Sequence, residues 1–67
     1  MDQAIRDEFE RHLILVALEK NSKSVKDLAK ELDIDPSIVL KHILVLKVRS
    51  QVDFGEIIGN TPIFIRL

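Results

Sequence analysis

The chain has no cysteine, tryptophan or tyrosine, and only two glycines, two prolines and three phenylalanines in 67 residues. Without cysteine, disulfide scaffolds, thiolate zinc sites, iron-sulfur clusters and cysteine nucleophiles are excluded together. The same absence fits a reducing compartment, so a cytoplasmic location is expected. Long apolar runs are missing too. The longest, Leu13 to Leu18, spans six residues against the roughly 20 that a membrane span needs, and no basic-then-apolar leader precedes a small-residue cleavage site. Neither insertion nor export is expected. His12 and His42 are the only imidazoles, and no glycine-rich phosphate loop exists, so nucleophile and metal templates have almost nothing to use. Glu8 and His12 stand four apart on one helix face, but two residues do not make a metal site. No enzymatic activity, metal or cofactor is expected.

What is present describes a small folded domain. An apolar fraction of 46% with 31% charged residues is the balance of a globular chain rather than a disordered one. The length allows one domain, residues 1 to 67, which buries only about 60% of its unfolded surface. The net charge of -1 hides an asymmetry. Residues 1 to 19 carry two arginines against five carboxylates, a balance of -3, whereas residues 20 to 49 carry seven basic side chains against four acidic, a balance of +3. Salt screens charges beyond about 10 Å, so a locally basic surface attracts phosphate even on a nearly neutral molecule.

Periodicity divides the chain into three helices and a hairpin. Asp2 is a good N-cap, and Ile5, Phe9, Leu13, Val16 and Ala17 repeat at helical spacing, which predicts a first helix over residues 3 to 20 with that stripe inward. Ile14, Leu15 and Leu18 widen the apolar sector, and together with Phe9 they are the expected contact with a second copy. Asn21, tolerant of a left-handed cap, ends the helix. Ser24 with Asp27 forms a weak capping box ahead of Val25, Leu28, Ala29 and Leu32, a second helix over about residues 24 to 32. Asp35 and Pro36 then supply an N-cap and a first-turn proline for a third helix over residues 36 to 49. Its core stripe is Val39, Ile43 and Leu46, and His42, one step off that stripe, reads as a structural histidine. Beyond Arg49 the period becomes 2 around a Gly59-Asn60-Thr61-Pro62 turn, a β-hairpin.

This order resembles a winged helix-turn-helix, an α+β fold of three helices with a C-terminal hairpin wing. Residues 24 to 35 are similar to the first half of that motif, an apolar-x-x-Leu-Ala-x-x-Leu run before a turn plugged by an aliphatic residue, here Ile34. Residues 37 to 46 resemble the recognition helix of ArsR-like and MarR-like regulators, with a buried Val, a basic residue, a His and two aliphatics in succession. The resemblance implies a small DNA-binding transcriptional regulator whose third helix enters the major groove of double-stranded DNA while the wing touches the backbone. Carried onto this chain, the implied contact set is Ser24, Lys26, Lys30, Ser37, Leu40, Lys41, Leu44, Lys47 and Asn60. The wing departs from the pattern, since its turn carries no positive charge, and Asp33 and Asp35 beside the third helix repel phosphate.

The third helix also supports a different class of function. With Val39 at the core direction, Ser37, Lys41, Leu44 and Val48 fall within about 40° of the outward direction. Only two of these four are polar. Aliphatic side chains can touch a thymine methyl but cannot read guanine, so Ile38, Leu40, Leu44 and Val48 form an alternative docking patch for another protein. A homodimer through the first helix is expected in the DNA-binding case.

Overall fold

A computed structural model describes residues 2–67. Three helices, α1 (Gln3–Lys20), α2 (Val25–Leu32) and α3 (Pro36–Val48), precede an antiparallel hairpin of β1 (Val52–Ile58) and β2 (Thr61–Arg66). This is a winged helix with a C-terminal wing.

Each helix starts where side-chain chemistry satisfies its free N–H groups. The Asp2 carboxylate accepts from Ala4 N at 3.2 Å. Ser24 Oγ accepts from Asp27 N at 3.1 Å while Asp27 Oδ2 accepts from Ser24 N at 3.3 Å, a complete capping box. Asp35 Oδ1 accepts from Ser37 N at 2.9 Å, with Pro36 in the first turn where its missing N–H costs nothing. The left-handed cap falls elsewhere than expected. Asn21 is extended (φ -155°), and Asp33 takes the left-handed conformation instead, at φ 56° and ψ 47°. That residue closes α2, and Ile34, half-buried against the core, plugs the turn.

The core joins all five elements. Ile14 and Leu18 of α1, Leu28 of α2, Val39, Ile43 and Leu46 of α3, Val52 of β1 and Phe64 of β2 are all buried. The predicted inner stripe of α1 is corrected by this arrangement. Ile5, Phe9 and Val16 are exposed and Leu13 is half-buried, so of the expected set only Ala17 is buried. Ile14, Leu15 and Leu18, expected at a dimer contact, lie in the monomer's own core, so of that set only Phe9 remains free for a second copy. The reason is geometric. The two stripes lie on opposite faces of one helix, and the face that meets Val39, Ile43 and Leu46 is the one bearing Ile14.

The wing is short and irregular. Ile58 pairs with Thr61 across the Gly59–Asn60 turn, and Gly59 adopts φ 65°, a conformation that suits glycine. Between the Phe54–Phe64 and Ile57–Pro62 pairs the register shifts, so Gly55 and Glu56 together face Ile63 as a bulge. A methyl group at Gly55 would come within 2.9 Å of Ile65 Cγ2. Phe64 stacks obliquely on Phe54 with ring centroids 5.1 Å apart. A further rung ties the wing to the helices: Lys23 N donates to Phe64 O at 3.1 Å, and Phe64 N donates to Lys23 O at 2.8 Å.

Candidate nucleic-acid interface

The helix-turn-helix sets α3 with one face in the core and the other in water. Ser37, Leu40, Lys41 and Leu44 are all exposed along that outer side, and Val48 at its end is 86% exposed. Lys26 and Lys30 are exposed on α2. Lys26 also lines a cleft of about 480 Å³ with Pro36 and the wing-turn residues Asn60 and Thr61. The fold therefore brings Lys26 and Asn60 together, 34 residues apart in sequence.

Several expected contact residues are committed to other work. Ser24 is buried and its hydroxyl is held by the capping box. Asp27 also occupies that helix end, so the hydroxyl is not offered to a phosphate and Ser24 leaves the implied contact set. Lys23, just ahead of α2, pairs with Glu31 at 3.2 Å. Lys47 is exposed but tethered to the wing, 3.5 Å from Asp53 Oδ1 and 5.4 Å from the centre of the Phe54 ring. The Ser37 hydroxyl donates to Asp35 Oδ1 at 2.6 Å.

Two carboxylates beside this face are held ionised. Hydrogen bonds from the Ser37 hydroxyl and backbone N–H keep the Asp35 carboxyl below its usual range. The Phe54 N–H, with Lys47 as a further cause, does the same for Asp53. Both place negative charge beside any phosphate approaching α3.

The docking alternative is also sterically available. Ile38, Leu40, Leu44 and Val48 are all exposed, and Leu44 and Val48 border an apolar hollow of about 290 Å³ with Val45 and Arg49.

Sequence reasoning missed a polar seam that anchors α3 on α1. His42 is buried, as a structural histidine should be, with Nε2 3.0 Å from Glu10 Oε1. Arg11 Nη1 lies 3.4 Å from His42 Nδ1, and Glu8 accepts from both Arg11 and Arg49. These two hydrogen bonds, Arg11 the stronger cause, hold the Glu8 carboxyl below the usual carboxylate range. The only sequence signal was helical spacing: Glu8 and Arg11 are three apart, and Arg11 shares a face with Ile14, Leu15 and Leu18.

Residues 10–48, from the middle of α1 through the end of α3, match the family described as "Bacterial regulatory protein, arsR family". The chain belongs to this family. Neither a curated protein nor a solved structure matches it. Membership in the arsR family makes it a small DNA-binding transcriptional regulator with a winged helix-turn-helix, and DNA its partner class. The matched segment holds the whole helix-turn-helix and stops before the wing. Among the described residues no helix is long and apolar enough to cross a membrane.

Proposed function

We propose that this arsR-family protein regulates transcription by laying the outer face of α3 in the major groove, as a homodimer joined along α1. Lys41 and Ser37 are its polar base-facing side chains, and Leu40 and Leu44 contact thymine methyl groups. Lys26, Lys30 and Asn60 grip the backbone on either side, joined by Lys47 when its exposed contact with Asp53 opens. The observation that carries this reading is the free outer side of α3 lying beside the cleft shared by Lys26 and Asn60. An aliphatic reading head favours A·T-rich sites, where thymine methyls are dense.

The dimer reading rests on Ile5 at 59% and Phe9 at 57% exposure, with Val16 exposed and Leu13 half-buried on the same side of α1. Each such side chain left in water forgoes about 1.5–3 kcal/mol that burial against a second copy recovers. An antiparallel pairing of two α1 helices opposes their dipoles and sets Asp2 near the other copy's Lys20. Two α3 helices about 34 Å apart then meet successive major grooves.

The test is a titration with random and A·T-rich duplexes at 50 and 200 mM salt. About six phosphate contacts predict a loss of about a thousandfold in affinity between those conditions. Undetectable binding at the lower salt rejects the reading. The second reading, a docking helix, is favoured by the hollow beside Leu44 and Val48, and it gains if DNA binding fails.

A further inference from the structure

The wing carries an exposed apolar end that the DNA-binding reading leaves unused. Ile57, 71% exposed, and Ile58 stand together just before the Gly59–Asn60 turn, a place where turn chemistry alone asks for polar side chains. The wing is also acidic. Its only cation, Arg66, pairs with Glu19, and Asp53 pairs with Lys47. Glu56 is its one charge without an ion-pair partner among the described residues.

The outer side of α3 offers complementary features. At its last turn Leu44, Val45 and Val48, with Arg49 beyond them, border the apolar hollow of about 290 Å³. Lys41 lies one turn before Leu44, exposed and likewise without an ion-pair partner among the described residues. The chain's own wing does not fill this hollow. No wing residue lines it, and the tip sits at the opposite end of α3, where Asn60, Thr61 and Pro62 share a cleft with Pro36.

We infer that the wing tip of one copy docks on the α3 face of a second copy, with Ile57 and Ile58 in the hollow beside Leu44 and Val48 and with Glu56 opposite Lys41. Charge selects this occupant: wing against wing or α3 against α3 opposes like charges, whereas wing against α3 opposes unlike ones. The Gly55–Glu56 bulge breaks the β1 edge, so side chains and not an added strand make the contact. This interface joins unlike surfaces and leaves Phe9 untouched, which separates it from the homodimer along α1.

An α3 face covered in this way cannot enter the major groove, so the contact lowers DNA affinity as protein concentration rises. That consequence rests on the DNA-binding reading above; the contact itself does not.

The experiment mixes two variants of the full chain, each with one surface broken. Ile57→Asp keeps the α3 face and loses the tip, and Leu44→Glu keeps the tip and loses the hollow. Both positions are exposed, so both chains should fold, as their amide spectra report. Neither should associate with itself through this contact, but unlabelled Leu44→Glu added to ¹⁵N-labelled Ile57→Asp should give saturable amide shifts at residues 41, 44, 45 and 48. Adding Glu56→Lys to the donor should weaken that binding about fivefold, and Lys41→Glu on the acceptor should restore it. An absence of saturable shifts at millimolar concentration, which would return the hollow to a different protein, overturns the contact. So do shifts confined to α1, an unchanged affinity with Glu56→Lys, or no rescue by the exchanged charges. A donor carrying both Phe9→Ser and Leu44→Glu, which cannot mix along α1, should lower the DNA affinity of the unmodified protein several-fold. Docking with an unaltered DNA affinity overturns only the regulatory use, and docking in a chain that binds no DNA separates failure of the DNA reading from failure of the contact.

Discussion

The outer sides of α1 and α3 both carry apolar stripes, yet their surroundings differ. On α1, Ile5, Phe9 and Val16 lie in the segment of balance -3, whose acidic residues disfavour approach to a phosphate backbone. On α3, Leu40, Leu44 and Val48 share their side with Ser37 and Lys41, in the segment of balance +3 that also holds Lys26, Lys30 and Lys47. An apolar stripe alone does not say what covers it. Under the function proposed above, the charges around it decide: the first faces another copy of the chain, and the second faces a polyanion with thymine methyls at its centre.

The largest expected effect tests the division of α1 into an inner and an outer face. Ile14→Ala should cost about 2–5 kcal/mol, because the side chain is fully buried and its loss leaves a cavity. Chemical denaturation measures it. Phe9→Ser should leave the fold intact and convert dimer to monomer in sedimentation, and a wild type already monomeric at millimolar concentration removes the α1 half of the contrast. Next comes the α3 stripe. Leu44→Lys should tighten DNA binding and make the slope of log affinity against log salt steeper by about 1.8, as one added phosphate contact in each copy of the homodimer requires. An unchanged slope would put Leu44 away from DNA.

Smaller effects sharpen the electrostatic side. Asp35→Asn keeps a good N-cap and removes a charge held ionised by Ser37, so DNA affinity should rise several-fold while stability shifts by less than about 0.5 kcal/mol. The smallest effect is on pH. Glu8, Asp35 and Asp53 all have lowered folded-state values. Their stabilisation is therefore complete above the ordinary carboxylate range and is lost as pH falls through the lowered values. All three are solvent-exposed, so the melting temperature should stay flat from neutral pH to about 5 and decline only modestly below about 4.

Much of this architecture was legible in the residues. Capping and turn chemistry at Asp2, Ser24–Asp27, Asp35–Pro36 and Gly59–Asn60 placed the ends of the elements, since these signals are local. The Val39, Ile43 and Leu46 stripe was equally clear because α3 has one dominant inward direction. On α1 the same method chose the wrong side. Two stripes of correct period coexist there, and which one faces inward is decided by where α3 docks, a long-range fact that periodicity does not carry. Ser24 shows a related ambiguity. A serine at a helix start can cap the helix or receive a phosphate, and burial settles it for capping. The His42–Glu10 contact joins positions 32 apart, beyond the reach of any pattern along the chain.

The single rung between Lys23 and Phe64 gives the wing a mechanical tie to the helices. A hairpin hung only from the end of α3 would swing as a free flap. With both hydrogen bonds of that rung in place, β2 is pinned at mid-length to the linker joining α1 and α2, and the wing acts as a braced strut. A load applied at the Gly59–Asn60 turn then passes through Phe64 to the joint between the first two helices.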